Sequence, residues 1–236
     1  MSANNERVAI AGVAESDEIG KIPGKSSLQH HAEAAYNALE DAGIGIGEVD
    51  GVLTAGYSSM VLAEYLGITP TYTDGTAVGG SSFIIHIAHA MAAIRAGYCE
   101  VALVTHGEAG RSRLSRPTPD PAEPGQQFEV PYGIVNAPVA YAMAACRYMH
   151  VYGEDTTRQA LAEIAVSTRK WALLNPKAYM RDPMTFDDYH ESRWVSWPFH
   201  LLDCCIVTDA GGAYVIVSAE RARDLKRKPV WVLGAA

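Results

Sequence analysis

The chain has 236 residues, of which 48% are hydrophobic, so it can form one large domain or two small ones around a sizeable core. Its formal net charge of -8 excludes the basic surface that binds nucleic acid or an anionic membrane. Hydropathy predicts no membrane span, and the N-terminal residues lack the pattern of a signal peptide. Cys99, Cys146, Cys204 and Cys205 lack metal-ligand spacing, so we expect reduced, buried thiols and a cytoplasmic location.

The first 105 residues alternate between candidate strands and candidate helices. Strands are predicted at residues 7–14, 49–55, 71–74 and 100–105, and helices at residues 28–42, 60–66 and 82–96. The first strand is apolar and β-branched without polar alternation, which is typical of a strand covered on both faces. Gly43 is expected to end the first helix, because glycine adopts the left-handed conformation that closes helices. This alternation predicts an α/β sheet with helices packed against it.

The most distinctive stretch is residues 73–97, where a polar run reaches a Gly-Gly-Ser-Ser turn before a long apolar helix. Gly79 and Gly80 allow backbone to approach a ligand closely. The first N–H groups of the helix stabilise negative charge at the turn. A serine nucleophile needs an adjacent base, so Ser81 and Ser82 are interpreted as helix N-terminal residues. We therefore expect an anionic or carbonyl group of a ligand at this turn.

The sequence changes character after residue 106. Residues 107–133 are rich in proline and glycine, which predicts a long irregular segment. Helices follow at residues 137–152 and 157–174, then an aromatic-rich polar segment. An extended segment at 201–208, strands at 213–218 and 230–233, and a short helix at 219–226 complete the pattern. We therefore predict an α/β core at residues 1–110, an insertion at 111–199, and a return to the core at 200–236.

Three stretches of the chain resemble the thiolase superfamily, and within it the sterol-carrier or lipid-transfer type thiolases and the steroid side-chain aldolases. Residues 76–108 are similar to the family's nucleophile turn, helix and next core strand. Residues 130–153 are similar to the start of its loop domain, and residues 198–222 to its Asp-Cys-Cys stretch, the most specific of the three.

The resemblance implies a thiolase-like fold with α-β-α-β-α layers, built from two similar halves and forming homodimers. This chain would be the N-terminal half with a helical loop-domain insertion over the active site at residues 111–199, and residues 200–236 would begin the second half. The histidine and the second cysteine that act as acid and base in thiolases would then lie beyond Ala236.

The position of the nucleophile decides which reaction the resemblance implies. The family pattern Cys-Ala-x-Gly places its cysteine at Ala77, and alanine cannot form a thioester. Steroid side-chain aldolases also lack this cysteine, so the resemblance implies retro-aldol cleavage of a β-hydroxyacyl-CoA with a steroid or lipid side chain. The alternatives are an acyltransferase similar to acetyl-CoA acetyltransferase, with its nucleophile elsewhere, and a non-catalytic subunit for CoA binding or assembly.

The expected ligands and partners follow from the same resemblance. CoA would enter as part of the acyl-CoA substrate, with no tightly bound cofactor and no metal. A small partner protein of the DUF35/OB-fold type is expected beside a homodimer. Because family members line the acyl pocket where the loop domain opens, Tyr132 and Asn136 are candidate substrate-binding residues.

The remaining site candidates come from the α/β core. Gly79, Gly80 and Ser81 are candidates at the turn, and His106 is a candidate because it follows the strand 100–105, at a sheet edge where such folds bind ligands. His86 and His89 have metal-ligand spacing, but their apolar helix favours hydrogen-bonded core residues.

Two carboxylates near the Asp-Cys-Cys stretch complete the sequence predictions. Asp203 and Asp209 flank Cys204 and Cys205 in a glycine-rich part of the chain. We expect them to accept hydrogen bonds from backbone N–H groups or to pair across an interface.

Overall fold

The structure, a computed structural model, describes residues 7–112, 120–225 and 227–235. The chain divides into two compact units, residues 1–113 with 207–236, and residues 114–206. The roles assigned to residues 1–110, 111–199 and 200–236 stay a prediction.

The helices and strands follow one another in an α/β pattern. In chain order the strands are β1 Val8–Glu15, β2 Gly51–Thr54, β3 Tyr72–Asp74, β4 Val101–Ala109, β5 Trp194–Ser196, β6 Phe199–His200, β7 Asp209–Ser218 and β8 Val230–Trp231. The helices are α1 Ser27–Ala42, α2 Ser59–Leu66, α3 Ser82–Arg95, α4 Pro124–Phe128, α5 Ala137–Tyr152, α6 Glu154–Leu174, α7 Phe186–Glu191 and α8 Ala219–Ala222.

A mixed sheet organises the first unit, with strand order β3-β2-β4-β7-β1-β8. Strand β2 is parallel to β3 and β4, whereas β7 is antiparallel to both β4 and β1. Val101 and Leu103 of β4 face the core formed with α1 and α2, while Ala102 and Val104 face the core formed with α3. Helices therefore cover both faces of the sheet, and the predicted sheet with helices packed against it is confirmed.

Glycines on three strands let α1 lie directly on the sheet. A Cβ built on Gly211 would stand 2.2 Å from His30 O, and one on Gly12 or Gly107 would stand 2.5 Å from backbone atoms of α1. Real Cβ atoms do not approach backbone this closely, so only glycine fits at these positions.

Strand β4 is longer than the sequence predicted. It pairs with β7 from Val101 opposite Val217 to Ala109 opposite Asp209. His106 therefore lies inside the strand, opposite Gly212, and the expectation that it follows the strand is wrong. The extra length reflects the partner strand, which the local sequence of β4 does not reveal.

The predicted extended segment at 201–208 is also wrong. Leu201–Asp203 forms a 3₁₀ turn, and β7 begins only at Asp209. The turn forms because the Asp203 carboxylate accepts a hydrogen bond of 2.7 Å from the His200 N–H. Aspartate favours such local bonds to backbone over a strand ladder.

The second unit is mainly helical, with a small core and the hairpin of β5 and β6. Its buried residues Ala162, Ala165 and Tyr189 pack with Leu161, Met184 and Leu202. Gly153, at φ 96°, separates α5 from α6. Among the described residues of the chain, no helix is both long and apolar enough to span a membrane.

Candidate active site

The glycine turn, defined as residues 75–82, connects the edge strand β3 to α3. Residues 77–81 are exposed, and Gly79 has a φ of 78°. Ser82 is fully buried, and its Oγ donates to Gly79 O at 2.6 Å and accepts from the Val78 N–H at 2.9 Å. Ser81 is the N-cap residue but makes no side-chain capping bond. The Ser82 hydroxyl therefore closes the turn, and the candidates Gly79, Gly80 and Ser81 stand together on its exposed part.

The two serines give a matched test of this turn. Ser82→Ala removes the hydroxyl that bridges Val78 and Gly79, so it is expected to lower the free energy of unfolding by about 1–3 kcal/mol. Ser81→Ala is expected to change it by less than about 0.5 kcal/mol, because the Ser81 side chain is exposed. Chemical denaturation of both variants measures the difference. Equal effects would contradict the role assigned to Ser82.

A polar network holds the chain just before the turn. Asp74 accepts 2.7 Å hydrogen bonds from both the N–H and the hydroxyl of Thr76, and it pairs with His89 Nδ1. His86 Nε2 lies 3.1 Å from Thr76 O, so this nitrogen carries the proton. Burial lowers the pKa of His86. Burial alone would raise the pKa of Asp74, but the hydrogen bonds from Thr76 and His89 together lower it. The two histidines thus fix Thr76.

A metal role for these histidines finds no support in the geometry. Within residues 7–112, 120–225 and 227–235, no three or more His, Cys, Asp or Glu side chains are grouped to hold a metal ion. The predicted hydrogen bonds of these histidines are present, from His86 Nε2 to Thr76 O and between His89 Nδ1 and Asp74.

His106 lies in a row of rings beside the first turn of α3. Its ring centroid is 4.9 Å from that of Phe83 and 6.1 Å from that of His31. His31 Nδ1 is 2.8 Å from the Thr105 hydroxyl, and the Thr54 hydroxyl donates to Thr105 O at 2.8 Å. The Nδ1 of His106 is buried with no partner among the described residues, and burial lowers the pKa of this imidazole. The neutral imidazole of His106 therefore contacts Phe83, the residue that directly follows the glycine turn.

His31, a buried histidine of α1, predicts how the stability of the protein depends on pH. Burial, and then the neighbouring His106 and His30, lower the pKa of His31 to about 4. Between about pH 6.5 and pH 4 the unfolded chain binds this proton and the folded chain does not, so stability falls as the pH falls through this window. This single group contributes at most about 3 kcal/mol.

Denaturation curves at several pH values test this dependence. His31→Gln is expected to make the loss of stability from about pH 6.5 to pH 4 shallower, because glutamine does not titrate. His150→Gln, at an exposed position in the last turn of α5, is expected to keep the wild-type slope. Parallel curves for His31→Gln and the wild type would contradict the assigned pKa shift.

The other two candidates, Tyr132 and Asn136, belong to the second unit. Tyr132 ends a 3₁₀ turn and is 85% exposed. Asn136 caps α5, where its side-chain oxygen accepts a 3.3 Å hydrogen bond from the Val139 N–H. Asn136 thus has a structural role, and contact of either residue with an acyl group stays a prediction.

Sequence reasoning missed the two histidines of α1. His30 and His31 are 0% and 1% exposed, and neither ring nitrogen of His30 has a partner among the described residues. The signal was present, because the two stand on the buried face of an alanine-rich amphipathic helix. Polar residues at such positions indicate contacts that only the tertiary structure shows.

Comparison with known proteins identifies relatives along nearly the whole chain. It is 35% identical over 98% of its length to the 17-hydroxy-3-oxo-4-pregnene-20-carboxyl-CoA lyase of Mycobacterium tuberculosis. It is 36% identical over 100% of its length to the steroid side-chain-cleaving aldolase of Thermomonospora curvata. An acetyl-CoA acetyltransferase of Methanothermobacter thermautotrophicus is 30% identical over 97% of the chain. The chain spans 62%, 63% and 61% of these three proteins. No family model matches it.

Solved structures show the fold. A structure described as an Ltp2-ChsH2(DUF35) aldolase matches 99% of this chain, and 61% of its own, at a TM-score of 0.88 and 36% identity. Human mitochondrial 3-ketoacyl-CoA thiolase matches 94% of this chain and 68% of its own at a TM-score of 0.64, with 13% identity.

The chain therefore has a thiolase-like α/β fold. Its relatives at 35% and 36% identity are a 17-hydroxy-3-oxo-4-pregnene-20-carboxyl-CoA lyase and a steroid side-chain-cleaving aldolase, which confirms the resemblance that the sequence indicated. The named relatives are enzymes.

Proposed function

We propose that this protein cleaves a carbon–carbon bond of a steroid β-hydroxyacyl-CoA by a retro-aldol reaction, without an acyl-enzyme. The observation that carries the proposal is Ala77, which is exposed in the glycine turn and which the resemblance aligns with the nucleophilic cysteine of thiolases. Acyl transfer needs a thiolate there, whereas retro-aldol cleavage needs none.

The proposed reaction is balanced as follows. A base takes the proton of the β-hydroxyl, the carbinol carbon becomes a ketone, and the bond to the α-carbon breaks. The electron pair of that bond becomes the enolate of the thioester, which then takes a proton and leaves as a shorter acyl-CoA. The ketone stays on the steroid body.

The glycine turn would supply electrostatic stabilisation. Residues 79–81 precede α3, a helix of 14 residues, and the positive end of its dipole favours charge developing on the thioester oxygen. His106, as a neutral imidazole, would bind substrate beside this turn.

The proposal also covers ligands and partners. CoA would be part of the substrate, and Tyr132 and Asn136 would contact the acyl group. The matched Ltp2-ChsH2(DUF35) aldolase supports a DUF35 partner. We further propose a homodimer and a cytoplasmic location, and the four free thiols support the latter.

Acyl transfer is the second candidate, because one relative is named as an acetyl-CoA acetyltransferase. It would require a nucleophile other than Ala77. A non-catalytic role in CoA binding or assembly is the third.

Product analysis separates the three candidates. The protein, with its DUF35 partner, is incubated with 17-hydroxy-3-oxo-4-pregnene-20-carboxyl-CoA, and in parallel with a 3-ketoacyl-CoA plus CoA. The proposal predicts a steroid ketone and a shorter acyl-CoA in the first reaction and no product in the second. Acyl transfer in the second reaction without ketone in the first would contradict it, and no product in either would favour the non-catalytic role.

A further inference from the structure

The second unit contains a cavity of about 570 Å³. Its wall includes one face of α6, on which Leu161, Ile164, Ala165, Thr168, Arg169 and Ala172 recur at helical spacing. Residues 178–180, Met184, Phe199 and residues 202–206 also line the cavity. Its volume is within the range of about 300–1,000 Å³ that is typical of sites for small organic ligands.

Most of this wall is apolar. Leu161, Ala165, Met184 and Leu202 belong to the small core of the unit, so the cavity is a continuation of that core. Methionine side chains adapt to irregular shapes and suit a bulky hydrocarbon ligand. A single acyl chain would leave much of 570 Å³ unfilled, whereas a fused-ring body fills the width of such a cavity.

The charged groups favour a hydrogen-bond acceptor on the ligand. Arg169 lies eight residues after Leu161 on α6, about 12 Å along the helix axis, which is comparable with the length of a four-ring nucleus. A guanidinium has five N–H donors and no acceptor, and the 2.8 Å bond from Arg169 Nη1 to Asp182 O uses one of them.

Asp203, a carboxylate in the wall, is already hydrogen-bonded within the protein. Asp203 accepts hydrogen bonds from the Tyr189 hydroxyl at 2.8 and 2.9 Å and from the His200 N–H at 2.7 Å. Because both oxygens of Asp203 already accept hydrogen bonds from the protein, this carboxylate does not favour a cationic ligand in the cavity.

We infer that this cavity binds the fused-ring body of the steroid substrate, with the 3-oxo oxygen accepting a hydrogen bond from Arg169. The inference rests on the proposed function for its substrate class. It assigns the apolar end near Leu161 and Phe199 to the hydrocarbon rings and the Arg169 end to the carbonyl.

Thiols in the wall provide a direct readout of occupancy. Cys205 lines the cavity and is exposed, whereas Cys146 is exposed on α5 outside the lining of this cavity. Progesterone, a 3-oxo steroid without CoA, is expected to slow the alkylation of Cys205 by iodoacetamide at least fivefold, in a saturable manner, and to leave Cys146 unchanged. Peptide mass spectrometry gives both rates in one sample. Cys99 is buried, and burial raises its pKa to about 12, so it stays unalkylated.

Variants test the role of Arg169. Arg169→Met keeps the apolar stem and removes the donors, so it is expected to weaken progesterone protection about tenfold. Lys170→Met, at the neighbouring exposed position outside the lining, is expected to keep wild-type protection. Ala172→Trp fills the Arg169 end and is expected to abolish protection while Arg169 is still present. Unchanged circular dichroism and melting temperature establish that each variant is folded.

Three results would overturn the inference: no slowing of Cys205 by progesterone, equal slowing by palmitate, or full protection retained in Arg169→Met. This test is independent of catalysis. Protection of Cys205 in a protein that releases no ketone would contradict the proposed function and support the binding site. Ketone release without protection would support the function and contradict the site.

Discussion

Gly211→Ala is expected to lower the free energy of unfolding by about 3 kcal/mol or more, because overpacking against rigid backbone is costly. Its new Cβ would lie 2.2 Å from His30 O, 2.8 Å from His30 C and 3.1 Å from His106 O. All three are main-chain atoms, so the clash cannot be relieved by rotating a side chain. Relief would require α1 to move away from the sheet.

Chemical denaturation compares this variant with Gly24→Ala. A Cβ on Gly24 would meet nothing within 4 Å, so that variant is expected to be neutral or slightly stabilising. A loss below about 1 kcal/mol in Gly211→Ala would show that α1 does not pack on the glycines as described.

The second large effect is expected at Asp209, which is fully buried at the start of β7. Its carboxylate accepts backbone hydrogen bonds from Ile22, Arg111 and Ser112 at 2.7–2.9 Å, and a further one from the Ser112 hydroxyl. Asp209→Ala would leave several buried donors without an acceptor, so we expect a loss of roughly 3–5 kcal/mol. Thermal or denaturant unfolding measures it.

Asp209 also predicts the behaviour of the protein in acid. Burial alone would raise its pKa, but the hydrogen bonds from Ser112, Ile22 and Arg111 lower it to about 2. The unfolded carboxyl titrates near its ordinary value, so this stabilisation is complete above about pH 4 and is lost as the pH falls towards 2. Asp209→Asn is expected to remove this part of the acid dependence, and the exposed Asp224→Asn to retain it. An unchanged acid profile in Asp209→Asn would contradict the assignment.

Local signals in the sequence were sufficient for most of the helices and strands. The 3.6-residue periodicity gave α1, α5 and α6, although α6 begins at Glu154 rather than residue 157. Gly43 ends α1 in the left-handed conformation, with φ 70°, as predicted. The hydrogen bonds of Asp203 and Asp209 to backbone N–H groups were also expected from their surroundings, and they are confirmed.

Contacts between residues that are far apart in the chain could not be predicted from the sequence. His31 and Thr105 are 74 positions apart, and nothing near either residue indicates the other. The length of β4 depends on its pairing with β7. Glycine is required at positions 107 and 211 because the backbone of α1 lies directly against them. The exposed thiols Cys146 and Cys205, which were expected to be buried, are a further failure of this kind.

The candidate site was predictable only in part. The glycine turn and the absence of a thiol at Ala77 can be read from residues 76–82. The hydroxyl that closes the turn, the fixing of Thr76 by His86, and the ring contact between Phe83 and His106 required the structure. These interactions depend on side-chain direction, which periodicity does not specify.

The central claim is that cleavage occurs without a covalent acyl-enzyme, and intact-protein mass spectrometry during turnover tests it most directly. The protein and the proposed DUF35 partner are mixed with 17-hydroxy-3-oxo-4-pregnene-20-carboxyl-CoA, and samples are acid-quenched while ketone is being formed. We expect ketone release while the mass of the protein chain stays unchanged. An increase by the mass of an acyl group, appearing and disappearing with turnover, would contradict the account.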